Sequence, residues 1–408
     1  MHDPILIDGE QLKPPHEEAL AAAPTSDAEI DERYVSGEVR IVLEQARYPL
    51  KQIPDVVQSA DYNLQPDFQR RPRWSREKQS RLIESLILNV PIPPVFLYEQ
   101  EFSRYEVMDG RQRLTAISQF YGNEFQLQGL KLWPELNDRK YADLPEQVRR
   151  GIDRRFLSAI VLLHETAKSA DQADRLKQLV FERINTGGED LSPQEKRNAL
   201  FPGAMNSLCI KLSRHPALCR MWGIPEPEEG EISKAPNWNP PQDLLDNEAY
   251  KTMEDAELVL RFFAHRQRQK FWRGGTRLDE YLDQYLKAAN AMPPSTLSAL
   301  EETFKNTADF AYSVLGESAF WLWRSRRGVD ALIQRATYIA YDPIMYGFSR
   351  FLEHRDKILA RKSEVKDKLQ GFYIAHYEDF DGRKTNPVDI RRRDEAFLNF
   401  LKEFTQEA

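Results

Sequence analysis

Residues Tyr105 to Tyr121 read YEVMDGRQRLTAISQFY, and the reading of this stretch decides the fold. A short β-prone run, Tyr105 to Met108, meets an abrupt polar turn at Asp109-Gly110. Helical spacing follows, with Leu114, Ile117, Ser118 and Tyr121 on one face. Strand, glycine turn and helix together offer backbone N–H groups to a phosphate, because a helix's first turn has unpaired donors and a partial positive charge. That turn carries Arg111, Gln112 and Arg113, two planar guanidinium groups and an amide suited to phosphate oxygens. Asp109 stands where it can cap the helix, hold magnesium or orient a water. The same residues also describe an ordinary capped surface helix, so the motif alone leaves both readings open.

On the N-terminal side, Val95 to Tyr98 is the expected strand partner of Tyr105 to Met108. Asn89-Val-Pro-Ile-Pro-Pro ends a helix that Ser75 caps and Gln79, Leu82, Ile83, Leu86 and Ile87 continue. Before it, Asp67 to Arg81 holds six bases (Arg70, Arg71, Arg73, Arg76, Lys78, Arg81) against two acids, with Phe68 and Trp74 interleaved. Bases with aromatics suit a ligand of phosphates and bases, which assigns Arg71, Arg73 and Arg76 to nucleic acid; a solvated arginine cluster over a packed Trp is the alternative. On the C-terminal side, Gly122-Asn123-Glu124 closes the central helix and Asn137 to Asp153 is a polar helical connection. Phe156 to Leu163 is a buried-type strand. Asp171 to Ile184 is a helix with Leu176, Leu179, Val180 and Ile184 facing one way. It ends in Asn185-Thr-Gly-Gly, first of all a C-cap and turn, and Ser192-Pro193 opens the next helix.

Beyond Phe201 the chain reads as a helical domain. A proline-rich linker, Pro225 to Pro241, precedes expected helices at Glu254–Trp272, Thr276–Asn290, Ser295–Leu315, Gly328–Tyr341 and Pro343–Leu369. The 408 residues carry a net charge of −7. Residues 1–33 hold nine acids and two bases, which leaves 55 of each sign for the rest, so the overall acidity does not argue against an anionic partner. Those 33 residues read as an acidic, disordered tail. Residues 34–205 read as one domain and 206–408 as another. No apolar run spans a bilayer, no secretory signal is visible, and Cys209 and Cys219 read as reduced thiols, which points to the cytoplasm. P-loop, dinucleotide-fingerprint, zinc and nucleophile-elbow motifs are absent from the sequence.

Three segments together carry a resemblance: Gln69-Arg70 with Trp74 and Leu82-Ile83-Glu84-Ser85; Val107 to Thr115; and Phe181 to Gly188 followed by Leu191-Ser192 and Glu195. In this order they resemble the N-terminal domain of GmrSD-type restriction endonucleases (domain of unknown function 262), over roughly residues 45–205. The resemblance implies an α+β architecture, a ParB/sulfiredoxin-like small sheet with helices, followed here by a mainly α-helical C-terminal domain. It implies nucleotide binding, often with hydrolysis, in systems that restrict phage or modified DNA. Carried over, Asp109, Gly110, Gln112 and Arg113 form the nucleotide site, with Gln69, Arg70 and Asn185 in support. Gly110, Arg113 and Ala116 also fit the ParB-like phosphate signature G-x-x-R-x-x-A. Position 111 is Arg where the family usually has Gln. No His-Asn nuclease signature is found, and the motif has no cysteine for sulfiredoxin chemistry.

The expectation is therefore an NTP-binding and NTP-hydrolysing module of a prokaryotic restriction or anti-phage system, with Asp109, Gln112 and Arg113 catalytic, Arg111 on phosphate, and magnesium at Asp109. DNA, a separately encoded effector and a second copy of the chain are the expected partners, with no membrane. The rivals are a DNA-binding adaptor without turnover and a ParB-like nuclease. Arg113→Ala is expected to abolish nucleotide binding and leave the thermal midpoint nearly unchanged.

Overall fold

Alternation along three central strands builds the first core. The computed structural model describes residues 6–12, 26–35, 42–64, 74–163, 176–177, 179–181, 183, 191–228, 231, 240–271, 276–326, 329–380 and 386–405. They form two units, residues 17–191 and residues 1–16 with 192–408. In the 17–191 unit, helices α1 (Asp27–Val35) and α2 (Ile53–Gln58) accompany a five-stranded sheet of β1 (Leu43–Pro49), β2 (Tyr62–Asn63), β3 (Val95–Glu101), β4 (Arg104–Asp109) and β5 (Phe156–Leu162). The strand order is β1-β5-β3-β4-β2. The sheet is mixed: β1–β5 and β3–β4 are antiparallel, β3–β5 and β2–β4 parallel. Val95, Leu97, Val107, Leu157, Ala159 and Val161 turn to one face, where they meet Ile83 and Leu86 of α3 (Arg76–Leu88) and Leu114, Ile117 and Phe120 of α4 (Arg111–Tyr121).

Local chemistry fixes the ends of these elements. Ser75 accepts from the Lys78 N–H at 3.3 Å, as an N-cap should. Buried Glu84 accepts from the N–H groups of Leu132 and Trp133 at 3.0 and 2.8 Å, tying the segment after α4 back to α3. Helix α4 closes at Gly122-Asn123-Glu124 as expected: Gly122 is the C-cap at φ −74°, and Asn123, at φ 57°, takes the left-handed turn. Of the helix expected at 171–184, the described residues 176, 177, 179–181 and 183 are helical. Leu176 and Phe181 face inward there, whereas Leu179 is 43% exposed and leaves the predicted stripe. Ile184 and the Asn185-Thr-Gly-Gly turn lie outside the described residues.

The second unit is mostly helical. Its core joins the helices Ala204–Leu212, Glu254–Phe271, Leu278–Ala289, Pro294–Leu315, Tyr338–Arg350 and Pro387–Lys402 around Phe263, Phe304, Tyr341 and Phe397. Three sequence expectations change here. Strands β6 (Leu322–Arg326) and β7 (Val329–Ile333) pair antiparallel, so the described residues 329–333 are extended where the start of a helix was expected. Pro343 lies inside the Tyr338–Arg350 helix, losing one backbone hydrogen bond, where it was expected to open a new helix. The divide between units falls at 191/192, not 205/206, because Arg197 of the Pro193–Leu200 helix reaches Glu257, Asp279 and Asp283 at 2.9, 2.9 and 2.7 Å. Part of the acidic N-terminal stretch is also built into this unit: Glu10 is fully buried against Arg266. Most of the proline-rich linker lies outside the described residues. Both cysteines are buried and free, with burial pushing the Cys209 thiol above its usual range.

A candidate anion site at the start of the central helix

Gly110 is the N-cap of α4, with φ 98° and ψ 7°. This left-handed turn aims the chain from β4 into the helix, and a side chain would be costly for two reasons. An L residue rarely adopts that φ, and an added Cβ would stand 2.4 Å from Val95 Cγ1. Asp109, one of the expected caps, does not cap. Its Oδ2 accepts from Arg113 Nη2 at 2.7 Å, and the same Nη2 donates to the Pro94 carbonyl at 3.1 Å. Asp109, Gly110, Arg113 and the start of β3 therefore form one clamp, in which Arg113 is 13% and Asp109 38% exposed. Arg113 Nε is buried and takes no partner among the described residues.

Arg111 and Gln112 occupy the same first turn and are half-buried. Neither side chain makes a hydrogen bond or ion pair with a described residue. Burial, with no carboxylate to offset it, pushes the Arg111 guanidinium down from its usual 12.5 to about 10. An arginine desolvated without a counterion beside a helix N-terminus is an arrangement that gains when an anion arrives. The charges divide accordingly: Arg113 is already matched by Asp109, and Arg111 is not. Gly110, Arg111, Gln112 and Arg113 follow one another through the N-cap and first turn of α4, while the structural pairing of Asp109 with Arg113 was not foreseen. The four-residue spacing of the two on either side of the turn was the available signal.

For magnesium, the chemistry of the donors is limiting. No group of three or more His, Cys, Asp or Glu side chains clusters to hold a metal ion among the described residues. Asp109 Oδ1 is the one carboxylate oxygen of the clamp that takes no hydrogen bond from a described residue. One carboxylate suits magnesium, which keeps its waters and arrives on phosphates, and does not suit a metal caged by protein.

The supporting residues separate. Gln69, Arg70, Arg71, Arg73 and Asn185 lie outside the described residues. Arg76 is turned into its own domain: Nη1 donates to Gln79 Oε1 at 2.8 Å and Gln119 Oε1 at 3.2 Å, and the guanidinium lies 5.1 Å from the Phe125 ring centroid. Burial lowers its pKa, and Glu124 opposes the shift. Sequence reasoning missed a further charge on β4. Glu106 is buried and accepts from Lys177 Nζ at 2.6 and 2.7 Å and from Gln100 Nε2 at 2.6 Å. The pair pins the helical stretch at 176–183 to the strand that carries Asp109. An isolated Glu in a β-prone run gives no hint of such a partner.

A mixed sheet whose fourth strand turns through glycine into an arginine-bearing helix defines an α+β domain. Residues 53–202 match the model of the family described as GmrSD restriction endonuclease, N-terminal domain. The family points to a restriction or anti-phage endonuclease system. No curated protein and no solved structure matches the chain. The matched segment runs past the 191/192 divide and takes in the Pro193–Leu200 helix. No helix among the described residues is long and apolar enough to cross a membrane.

Proposed function

We propose that the turn Asp109 to Arg113 binds the phosphates of a nucleoside triphosphate and that the chain hydrolyses it in the service of restriction. The observation that carries this reading is Arg111, desolvated and without a carboxylate partner among the described residues, at the N-terminus of α4. In this reading Arg111 and the first-turn N–H groups grip phosphate. Arg113, oriented by Asp109 and the Pro94 carbonyl, supplies a second fixed charge, and Gln112 is free to orient water. Magnesium brought by the nucleotide would neutralise phosphate charge, with Asp109 Oδ1 as its one protein oxygen. DNA is the partner class that the restriction family suggests.

The test is phosphate release from ATP, GTP, CTP and UTP with magnesium, with and without DNA, for the wild-type chain and Asp109→Ala. Turnover that is lost in the variant supports the reading and fixes the base preference. Saturable binding without turnover would leave a nucleotide sensor. If neither binding nor turnover is seen, the proposal fails and a salt-sensitive DNA contact becomes the better account.

A further inference from the structure

The helical unit holds a seven-residue segment, residues 6–12, in a manner that resembles a receptor holding a peptide more than a chain packing on itself. Ile7 and Leu12 pack against the helical core and Glu10 between them is fully buried, while Leu6 is half-buried and Asp8, Gly9 and Gln11 are exposed. Arg266 grips Glu10 with two prongs: Nε donates to Oε1 at 2.7 Å and Nη2 to Oε2 at 2.9 Å. Gln267 reads the backbone on either side. Its Oε1 accepts from the Leu12 N–H at 2.9 Å, and its Nε2 donates to the Glu10 carbonyl. Thr296 Oγ1 donates to the Asp8 carbonyl at 2.8 Å. Gly9 turns at φ +76°, and a Cβ there would lie 2.6 Å from Thr296 Oγ1, so the groove selects glycine before glutamate. A side-chain amide pairing with main-chain donor and acceptor, a bidentate arginine on one carboxylate and two apolar anchors are the elements of peptide recognition.

We propose that the surface formed by Arg266, Gln267, Thr296 and the adjoining core is a binding site for an acidic peptide of the form Ile-Asp-Gly-Glu-x-Leu, and that its resident ligand is residues 7–12 of the same chain. Because this segment and residues 192–408 form one unit, residues 17–191 are inserted in the sequence between its two parts.

The test uses the full chain and a fluorescent peptide of residues 1–13. In Glu10→Arg, the new guanidinium faces Arg266 and the resident segment is expelled, so the peptide is expected to bind at one saturable site. The wild-type chain, whose groove is filled, should bind about a hundredfold more weakly, and so should Glu10→Arg when the peptide itself carries alanine in place of Glu10. Equal binding to both chains, or none to a folded Glu10→Arg, overturns the proposal. Should Glu10→Arg fail to fold, the double variant Glu10→Arg, Arg266→Glu must recover folding by circular dichroism, and no recovery also overturns it. A dimeric wild type that becomes monomeric in Glu10→Arg would assign the segment to a second copy and refute the intramolecular reading.

Discussion

Replacing Arg111 by methionine should make the chain more stable and less able to hold nucleotide. In the folded state burial lowers the guanidinium from 12.5 to about 10. At about 1.4 kcal/mol per pH unit, the charged form costs the fold about 3 kcal/mol near neutral pH. Arg111 is only half-buried, so solvent screening reduces that figure, and about 1–2 kcal/mol is a fair expectation. Methionine keeps most of the aliphatic stem without the charge, and should raise the thermal midpoint by roughly 2–8 °C for a unit of this size. Thermal melts with and without ATP or pyrophosphate read both effects. The wild type should gain stability with the anion, and Arg111→Met should start higher and gain little. Arg113→Ala should shift the midpoint of the free chain in the opposite direction. It removes the bonds to Asp109 and the Pro94 carbonyl, so the midpoint should fall by an amount corresponding to about 1–3 kcal/mol, against the near-constant value expected from sequence. A clear drop in stability for Arg111→Met, with undiminished response to anion, would refute the division of roles between the two arginines.

Three further outcomes follow from the geometry. Gly110→Ala combines a left-handed φ of 98° with a Cβ 2.4 Å from Val95 Cγ1, and should cost about 2–5 kcal/mol by chemical denaturation; a loss under 1 kcal/mol, on the order of a surface change, would mean the turn is not rigid. Lys177→Met strands the buried Glu106 carboxylate and should cost about 3–5 kcal/mol, most of it regained in Lys177→Met, Glu106→Leu; a double variant no better than the single would deny the pin. His265 donates from Nδ1 to the Arg261 carbonyl at 3.0 Å, and burial holds its pKa down from 6.5 to about 3. Its folded pKa is depressed, so as pH falls below 6.5 the unfolded chain takes a proton that the folded chain refuses, and stability is lost between about 6.5 and 3. In His265→Gln the stability lost between about pH 7 and pH 5 should shrink by about 2 kcal/mol, and an unchanged acid slope would deny the assignment.

The site was legible where local rules decide it and illegible where distant residues do. Hydrophobic spacing and one glycine placed β4 and α4 within a residue or so, and Ser75 and Ser192 cap as their positions imply; Ser192 forms a reciprocal box with Glu195. The Pro94 carbonyl and Val95 side chain that complete the clamp come from the neighbouring strand, and only strand pairing brings them there. The paired strands Leu322–Arg326 and Val329–Ile333 escaped because each is five residues long, too short for periodicity to separate them from a helix.

The Glu254–Phe271 helix is the stronger case of illegibility. Its sequence places Arg261, His265, Arg266, Gln267 and Arg268 where a surface helix would show them to solvent, yet all five are buried. Arg261 pairs with Asp342, Arg266 with Glu10 and Arg268 with Asp394, partners drawn from three separate parts of the chain. Fully burying an arginine is costly unless a carboxylate comes with it, and nothing within one helix reveals that the carboxylate lies 81, 256 or 126 residues away. Removing either member of such a pair leaves a buried charge unmatched, which is costlier than never having had the pair. Each pair thus disfavours any packing that keeps one partner inside and leaves the other out. That is why the segment around Glu10, acidic and ordinary as sequence, belongs with a unit whose other residues begin at 192.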